Sequence, residues 1–283
     1  MGLVEQHIAV LGGRGMLGTD LCQALRAAGC RVTALDQPEF DITHADQVGL
    51  ALAGAAAVVN CAAYTNVDGA EANRELADAV NHVAVGTLGR LAAAQGLYVL
   101  HISTDFVFDG ELGRPYRESD VPRPLSVYGA SKLAGEQALQ ASGCKHAIVR
   151  VEWTYGRAGQ NFVSKFLARA AVSDDLTMVV DQVGAPTWTR DVSVALLDLL
   201  ERRRQGLFHY AAAGYATRFE VAQAILELRA LVGKRLQPCR TGDFPAAARR
   251  PLNSRFDCTA IDTVLAHPRP HWRAALARYL AGG

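Results

Sequence analysis

His7-Ile-Ala-Val-Leu11 runs straight into Gly12-Gly13-Arg14-Gly15-Met16-Leu17-Gly18. A short apolar run that stops at glycines reads as a buried parallel strand. Beyond the glycines, Leu17, Leu21, Ala24, Leu25 and Ala28 recur at helical spacing, and Gly29 stands where a helix ends. The glycines fit G-x-x-G-x-x-G at 12, 15 and 18, or G-x-G-x-x-G at 13, 15 and 18. Both patterns allow a tight turn and let the backbone approach a pyrophosphate resting on the positive end of the helix. Placement between strand and helix makes this a candidate dinucleotide loop; a lone glycine motif is weak. Asp36 closes the next strand, Arg31–Asp36, where a carboxylate accepts hydrogen bonds from an adenosine ribose. Asp36 alone favours NADH, whereas Arg14 could neutralise a 2′-phosphate, so NADPH and NADH both remain open.

Working outward, strands are predicted at 57–60, 98–103 and 146–151, and helices at 45–53, 69–95 and 127–142. Such alternation implies parallel βαβ units and a doubly wound sheet. After residue 155 the rhythm loosens. Helices are expected at 161–172, 190–204 and 218–231, a loop at 181–187 and a strand at 207–210, with five prolines from Pro238 to Pro270 punctuating the tail. The predicted architecture is an α/β, Rossmann-type doubly wound parallel sheet with a smaller, interleaved C-terminal substrate domain. Residues 1–155 would bind the dinucleotide, 187–210 would pack back on them, and 156–186 with 211–283 would form the second unit.

Half of the 283 residues are apolar, a fifth are charged and the net charge is +1, which gives no electrostatic footprint for nucleic acid or an anionic membrane. No apolar run is long enough to span a bilayer and no secretion signal opens the chain, so a cytoplasmic protein is expected. The six cysteines form no Cys-x-x-Cys pair and read as reduced, mostly buried thiols. His267 and His271 are four apart, but Pro268 and Pro270 lie between them. They cannot share a regular helix face, and no metal site is predicted.

Tyr128-Gly-Ala-Ser-Lys132 opens a predicted helix after the turn-forming Pro122-Arg-Pro-Leu-Ser126. Residues four apart share a face, so phenol and ammonium can enter one cleft. A phenol titrates near pH ~10, and a neighbouring Lys⁺ and an oxidised nicotinamide would bring it towards the working range. Tyr128 could then protonate a carbonyl as hydride arrives, while Lys132 held the nicotinamide ribose. Tyr-x-x-x-Lys alone is a common coincidence. Thr104 changes its weight, because Ser103-Thr104-Asp105 ends a strand at the carboxyl edge where ligands bind in open α/β sheets. The Thr104 hydroxyl could hydrogen-bond the substrate carbonyl.

With these residues in place, the chain resembles the extended short-chain dehydrogenases, and more closely the dTDP-4-dehydrorhamnose reductase family. The matching segments are Val59–Asp68 with Glu71, Ser103–Gly110, Val127–Glu136, Asp181–Thr187 and Ala248–Ser254. The resemblance implies reduction of the 4-keto group of a nucleotide sugar by NADPH or NADH, and a homodimer. It implies that Gly12, Gly15, Met16 and Leu17 wrap the cofactor diphosphate and that Asp41 and Ile42 flank the adenine. Ala62, Ala63 and Tyr64 would line the nicotinamide side, with Thr65 and Val67 near the sugar. Thr104, Asp105, Tyr128 and Trp153 would surround the 4-keto-6-deoxyhexose; Trp153 can also be read as core packing. Asn81 falls at a structural Asn of the family or on a helix surface, and Arg249 and Arg250 suit either a diphosphate or domain docking.

Two segments depart from the family pattern. Arg150-Val-Glu-Trp-Thr-Tyr-Gly156 replaces Arg-Thr-Ser-Trp-x-Tyr-Gly, and Thr217-Arg-Phe-Glu-Val221 replaces Ser-Trp-Tyr-Glu-Phe. They put a carboxylate beside Trp153 and a charge where an aromatic is usual, which points to a different sugar. Two other readings stand beside the reductase. One is a sugar-nucleotide epimerase or dehydratase, against which Phe106 occupies the place of the usual dehydratase Glu. The other is a binding subunit like the regulatory β subunit of methionine adenosyltransferase.

Overall fold

The computed structural model describes residues 2–282. The chain opens with β1 (His7–Leu11), α1 (Met16–Ala27), β2 (Arg31–Leu35), α2 (Ala45–Leu52) and β3 (Ala57–Asn60). Then come α3 (Val67–Ala72), α4 (Arg74–Asp78), a π-helical turn over Ala79–Val83, α5 (Ala84–Ala94), β4 (Tyr98–Thr104), α6 (Val127–Ala141) and β5 (Lys145–Val151). The second part holds β6 (Thr154–Tyr155), α7 (Phe162–Val172), β7 (Asp175–Val179), β8 (Val183–Gly184), β9 (Thr187–Trp188) and α8 (Thr189–Glu201). It ends with β10 (Gly206–Tyr210), β11 (Ala216–Thr217), α9 (Arg218–Leu228), β12 (Arg235–Cys239), α10 (Thr259–Asp262) and α11 (Trp272–Leu280).

Six strands form one sheet in the order β10-β5-β4-β3-β1-β2, and every pairing is parallel. Strand alternation sends Ile8 and Val10 to one face of β1, where they pack with Leu21, Leu25 and Leu196. Ala9 and Leu11 go to the other face and pack with Val48, Leu52 and Leu88. Both faces are therefore covered, which is why these strands read as unbroken apolar runs. The order reverses at β1, so the loops after β1 and β3 diverge and leave a crevice at the carboxyl edge.

Residues 187–210 contribute α8, which packs on α1, and β10, the sheet's edge strand. A third core gathers Phe166, Trp188, Val221, Ile225, Trp272 and Leu276 around α7, α9 and α11. Several elements differ from the sequence reading. The helix expected over 69–95 is broken at Asn73 and again by the π-turn. β7 pairs with β12, whose Pro238 and alternating polar residues hide its strand character. α11 follows Pro268 and Pro270 and carries Arg273 and Arg278, so its apolar stripe is narrow.

Candidate active site

Gly12 takes φ +74°, and a Cβ there would lie 2.6 Å from the Ala62 nitrogen. A Cβ on Gly18 would lie 2.0 Å from the Gly12 carbonyl oxygen. Gly15 caps α1 with extended backbone. Gly13 is held as tightly, since a Cβ there would lie 2.8 Å from the Ala34 Cβ, so packing constrains glycines of both patterns. Gly15 offers no side-chain cap, and the first turn of α1 has no acidic residue. The positive end of the helix is left to face an anion in the crevice. Asp36 braces the loop: its carboxylate accepts from the Arg14 amide at 2.8 Å and the Gln37 amide at 2.9 Å. The exposed Arg14 guanidinium bonds Glu39 at 2.7 Å.

Across the switch point, the Asn60 side chain accepts from the Ala62 amide at 3.0 Å. Asn81 lies fully buried in the π-turn. It accepts from the Tyr64 amide at 2.8 Å and donates to the Tyr64 carbonyl at 3.1 Å and the Ser131 hydroxyl at 3.0 Å. It is an interior brace, and it ties the 62–64 loop to α6. The π-turn turns the Asn81 side chain inward, a use of such turns that recurs at functional sites.

Ser126 caps α6 by accepting from the Gly129 amide at 3.1 Å, and Glu71 accepts from the Val127 amide at 2.8 Å. A Cβ on Gly129 would lie 2.1 Å from the Phe106 carbonyl oxygen, so the helix start presses on the end of β4. That contact sets Tyr128 beside Thr104. The Tyr128 phenol is buried, and burial pushes it up to about 12; hydrogen bonding with Thr104 lowers it and the Asp105 charge raises it. Lys132 donates to the Ile102 carbonyl at 2.7 Å and sits 3.4 Å from His101 Nε2. Burial brings its ammonium down to about 8, opposed by Glu136 and Cys61. The sequence pattern predicts that Lys132 and an oxidised nicotinamide together draw the phenol down. In the folded chain the ammonium is anchored to β4, and desolvation of the phenol dominates.

His101 was not signalled by any motif. It is fully buried, and its Nδ1 lies 3.1 Å from Asn60 Nδ2. Burial, with Lys132 next, holds its pKa well below the usual histidine range. It links Lys132 through Asn60 to the Ala62 amide. Beneath α6, Arg150 grips Glu136 through two bonds of 2.9 and 2.6 Å, both side chains being buried. Such a bidentate pair fixes geometry more than it stabilises.

At the other end, Asp105 accepts from Thr104 at 3.2 Å and from Ser254 at 2.5 Å. Burial lifts it to about 6, against the Ser254 hydrogen bond. Trp153 has φ +45°, a strained conformation for an aromatic residue. The Arg218 guanidinium lies 3.5 Å from its ring centroid. Glu152 is fully buried, and the Ala185 and Phe256 amides face its carboxyl without good hydrogen-bond geometry; burial, with the Asp105 charge next, drives its pKa well above the usual carboxylate range. Arg250 bonds Asp68 at 2.6 and 3.1 Å, so it docks the C-terminal segment onto α3.

One crevice of about 780 Å³ is lined by Gly12, Gly15, Met16, Leu17, Asp36, Asp41 and Ile42 on one flank. Ala62, Ala63, Tyr64, Thr65 and Val67 line the other, and Thr104, Asp105, Tyr128, Lys132 and Trp153 close its end. Every residue predicted for the site is brought together there. Trp153 belongs to this wall. A second cavity of about 420 Å³ adjoins it and shares Phe106, Trp153 and Arg218. Among the described residues there is no cluster of His, Cys, Asp and Glu that could hold a metal, and no helix is long and apolar enough to cross a membrane.

A doubly wound sheet with a glycine phosphate loop and a Thr-Tyr-Lys group at its carboxyl edge defines the class of extended short-chain dehydrogenases and reductases. The sequence profile of the RmlD substrate binding domain family matches residues 6–282. The chain belongs to the dTDP-4-dehydrorhamnose reductase family. It is 36% identical to the dTDP-4-dehydrorhamnose reductase of Sinorhizobium fredii over 96% of each chain. It is 34% identical to the dTDP-4-keto-6-deoxy-D-glucose reductase of Streptomyces niveus, covering 95% of this chain and 94% of the relative. The crystal structure of dTDP-4-dehydrorhamnose reductase from Bacillus anthracis in complex with NADP superposes with a TM-score of 0.94 at 31% identity, covering 99% of this chain and 100% of that one.

Proposed function

We propose that this enzyme reduces the 4-keto group of a dTDP-4-keto-6-deoxyhexose, giving dTDP-L-rhamnose or a related deoxysugar, with NADPH or NADH. The observation that carries the reading is geometric: Thr104, Tyr128 and Lys132 line one crevice with the glycine loop of Gly12 and Gly15, and the phenol is buried beside Thr104. A phenol so placed keeps its proton at neutral pH, as a general acid for ketone reduction must.

The crevice fits a dinucleotide. Gly12, Gly15, Met16 and Leu17 would take the cofactor diphosphate at the open end of α1. Asp36 would accept from the adenosine ribose, Asp41 and Ile42 would flank the adenine, and Ala62, Ala63 and Tyr64 would face the nicotinamide. When bound, the cofactor supplies hydride. Lys132, held by Ile102, would direct its remaining protons to the nicotinamide ribose. Thr104 and Tyr128 would hold the ketone oxygen, and Tyr128 would deliver the proton. Asp105, Val67 and Trp153 would orient the sugar. Either cofactor fits: Asp36 accepts backbone hydrogen bonds at the loop, while Arg14 lies at its rim with Glu39.

The test is turnover of dTDP-4-dehydrorhamnose and of dTDP-4-keto-6-deoxy-D-glucose, followed as loss of reduced cofactor with NADPH and NADH. Oxidation of either cofactor that depends on a 4-keto sugar supports the reading. Absence of turnover with every 4-keto sugar nucleotide, by protein that binds NADPH, sinks it.

A further inference from the structure

Arg218 occupies an unusual position for a cation. It is the first residue of α9, and its guanidinium is clamped between two rings, 3.5 Å from the Trp153 centroid and 4.8 Å from that of Phe162. Among the described residues its side chain has no hydrogen-bond acceptor. The Asp105 and Glu152 carboxyls act on it only through space. With Glu152 kept protonated by burial, Asp105 is the charge that offsets it.

Arg218 also stands at a junction. With Phe106 and Trp153 it belongs to the wall shared by the 780 Å³ crevice and the 420 Å³ cavity. If the ketone sits at Thr104 and Tyr128, the nucleoside has the second cavity left to it, where Phe162, Met178, Phe244 and Pro251 offer apolar surface and Gln182 and Thr241 offer polar groups. The link between sugar and nucleoside is a diphosphate, and it must cross that wall. The other cation lining the second cavity, Arg250, spends its guanidinium on Asp68. A planar fork with all its donors unspent, held rigid by two rings, matches two phosphate oxygens at small entropic cost.

We infer that Arg218 is the clamp for the substrate's diphosphate, reaching it at the opening between the two cavities. Trp153 and Phe162 serve as its holders. The inference rests on the sugar-nucleotide reading above and adds the residue that fixes the substrate's register.

The experiment is calorimetric titration of the full chain with thymidine 5′-diphosphate and, separately, with thymidine, each with NADPH bound. The variants are Arg218→Lys, Arg218→Ala and Arg218→Trp, the last keeping a flat ring on Trp153 without the charge. Arg218→Ala and Arg218→Trp are expected to weaken the diphosphate about 10- to 100-fold, the scale of a charge-assisted fork. Thymidine and NADPH affinities should change less than about twofold, and Arg218→Lys should fall between. Unchanged NADPH affinity also reports that the variants fold. If Arg218→Trp binds the diphosphate as the wild type does, or if thymidine weakens equally, the clamp is overturned while the reductase reading stands. If the wild-type chain binds NADPH but no thymidine diphosphate, the substrate reading itself fails and the clamp with it.

Discussion

The two ends of the crevice are built by opposite means. At the cofactor end, Gly12, Gly13 and Gly18 lie within seven residues, and close contacts dictate their identity: the Gly18 Cβ would lie 2.0 Å from the Gly12 carbonyl oxygen. Polar groups there are satisfied, Asn81 making three bonds and Asp36 two. At the sugar end, Asp105, Glu152, Arg218 and Ser254 converge from distant segments, Glu152 meets the Ala185 and Phe256 amides only in poor geometry, and Trp153 is strained. The first end is a fixed cradle. The second stores unsatisfied charge and strain, which is where specificity can be tuned.

The largest effect should come where the two ends meet. Tyr128→Phe removes the proton donor and leaves the ring that packs edge-on against Phe106, 5.5 Å between centroids. Turnover is expected to fall about 10²- to 10⁴-fold, the range for a general acid, with NADPH affinity within about twofold of wild type. Steady-state rates and a cofactor titration separate the two. Equal loss of both would make the tyrosine part of the cradle and erase the contrast.

Next in size, Gly18→Ala should damage the cradle alone. The added methyl must displace the Gly12 backbone, costing roughly 1–3 kcal/mol of stability and at least about tenfold in NADPH affinity. Denaturant titration and cofactor binding check this. A variant with wild-type affinity would show that the loop is plastic. Asn81→Ala attacks the same end from beneath, stranding the Tyr64 amide and carbonyl, while the Ser131 hydroxyl keeps its bond to the Tyr128 carbonyl. A cost of about 1–3 kcal/mol is expected, with cofactor affinity falling more than sugar-nucleotide affinity. The reverse order would place Asn81 with the sugar site.

The same contrast explains what was legible in the sequence. Strand 57–60 and the loop 12–18 are local, since apolar runs and glycine spacing follow from contacts a few residues long. The Tyr128–Lys132 pair is legible because a helix turn puts both on one face. The π-turn is not, because Asn81 turns inward only to meet Tyr64 and Ser131, 17 and 50 residues away. His101 is hidden for a similar reason: as one residue of an apolar strand, it gains meaning from Lys132 and Asn60. β7 and β12 are half-exposed and paired across 60 residues, with Pro238 masking the second strand. Glu152 and Arg218 were visible as departures from a family pattern, but their meeting at Trp153 needed the fold.

The smallest expected effect tests the unsatisfied end. Glu152 is neutral in the folded chain well above the pH at which an unfolded glutamate ionises, near pH ~4.3. Its contribution to stability is therefore fully present below that pH. It is lost as pH rises towards the raised folded value, at up to about 1.4 kcal/mol per pH unit, because only the unfolded chain can release the proton. Glu152→Gln keeps the size and cannot ionise. Its melting temperature relative to wild type should therefore climb by a few degrees as pH rises from 5 towards the raised folded value, whatever the constant offset from exchanging a carboxyl for an amide. Asp105, lifted to about 6, titrates in the same window and its charge helps to raise Glu152, so the comparison is repeated in an Asp105→Asn background. Parallel melting curves across that range would mean that Glu152 ionises freely in the folded chain, and that the sugar end is as well satisfied as the cradle.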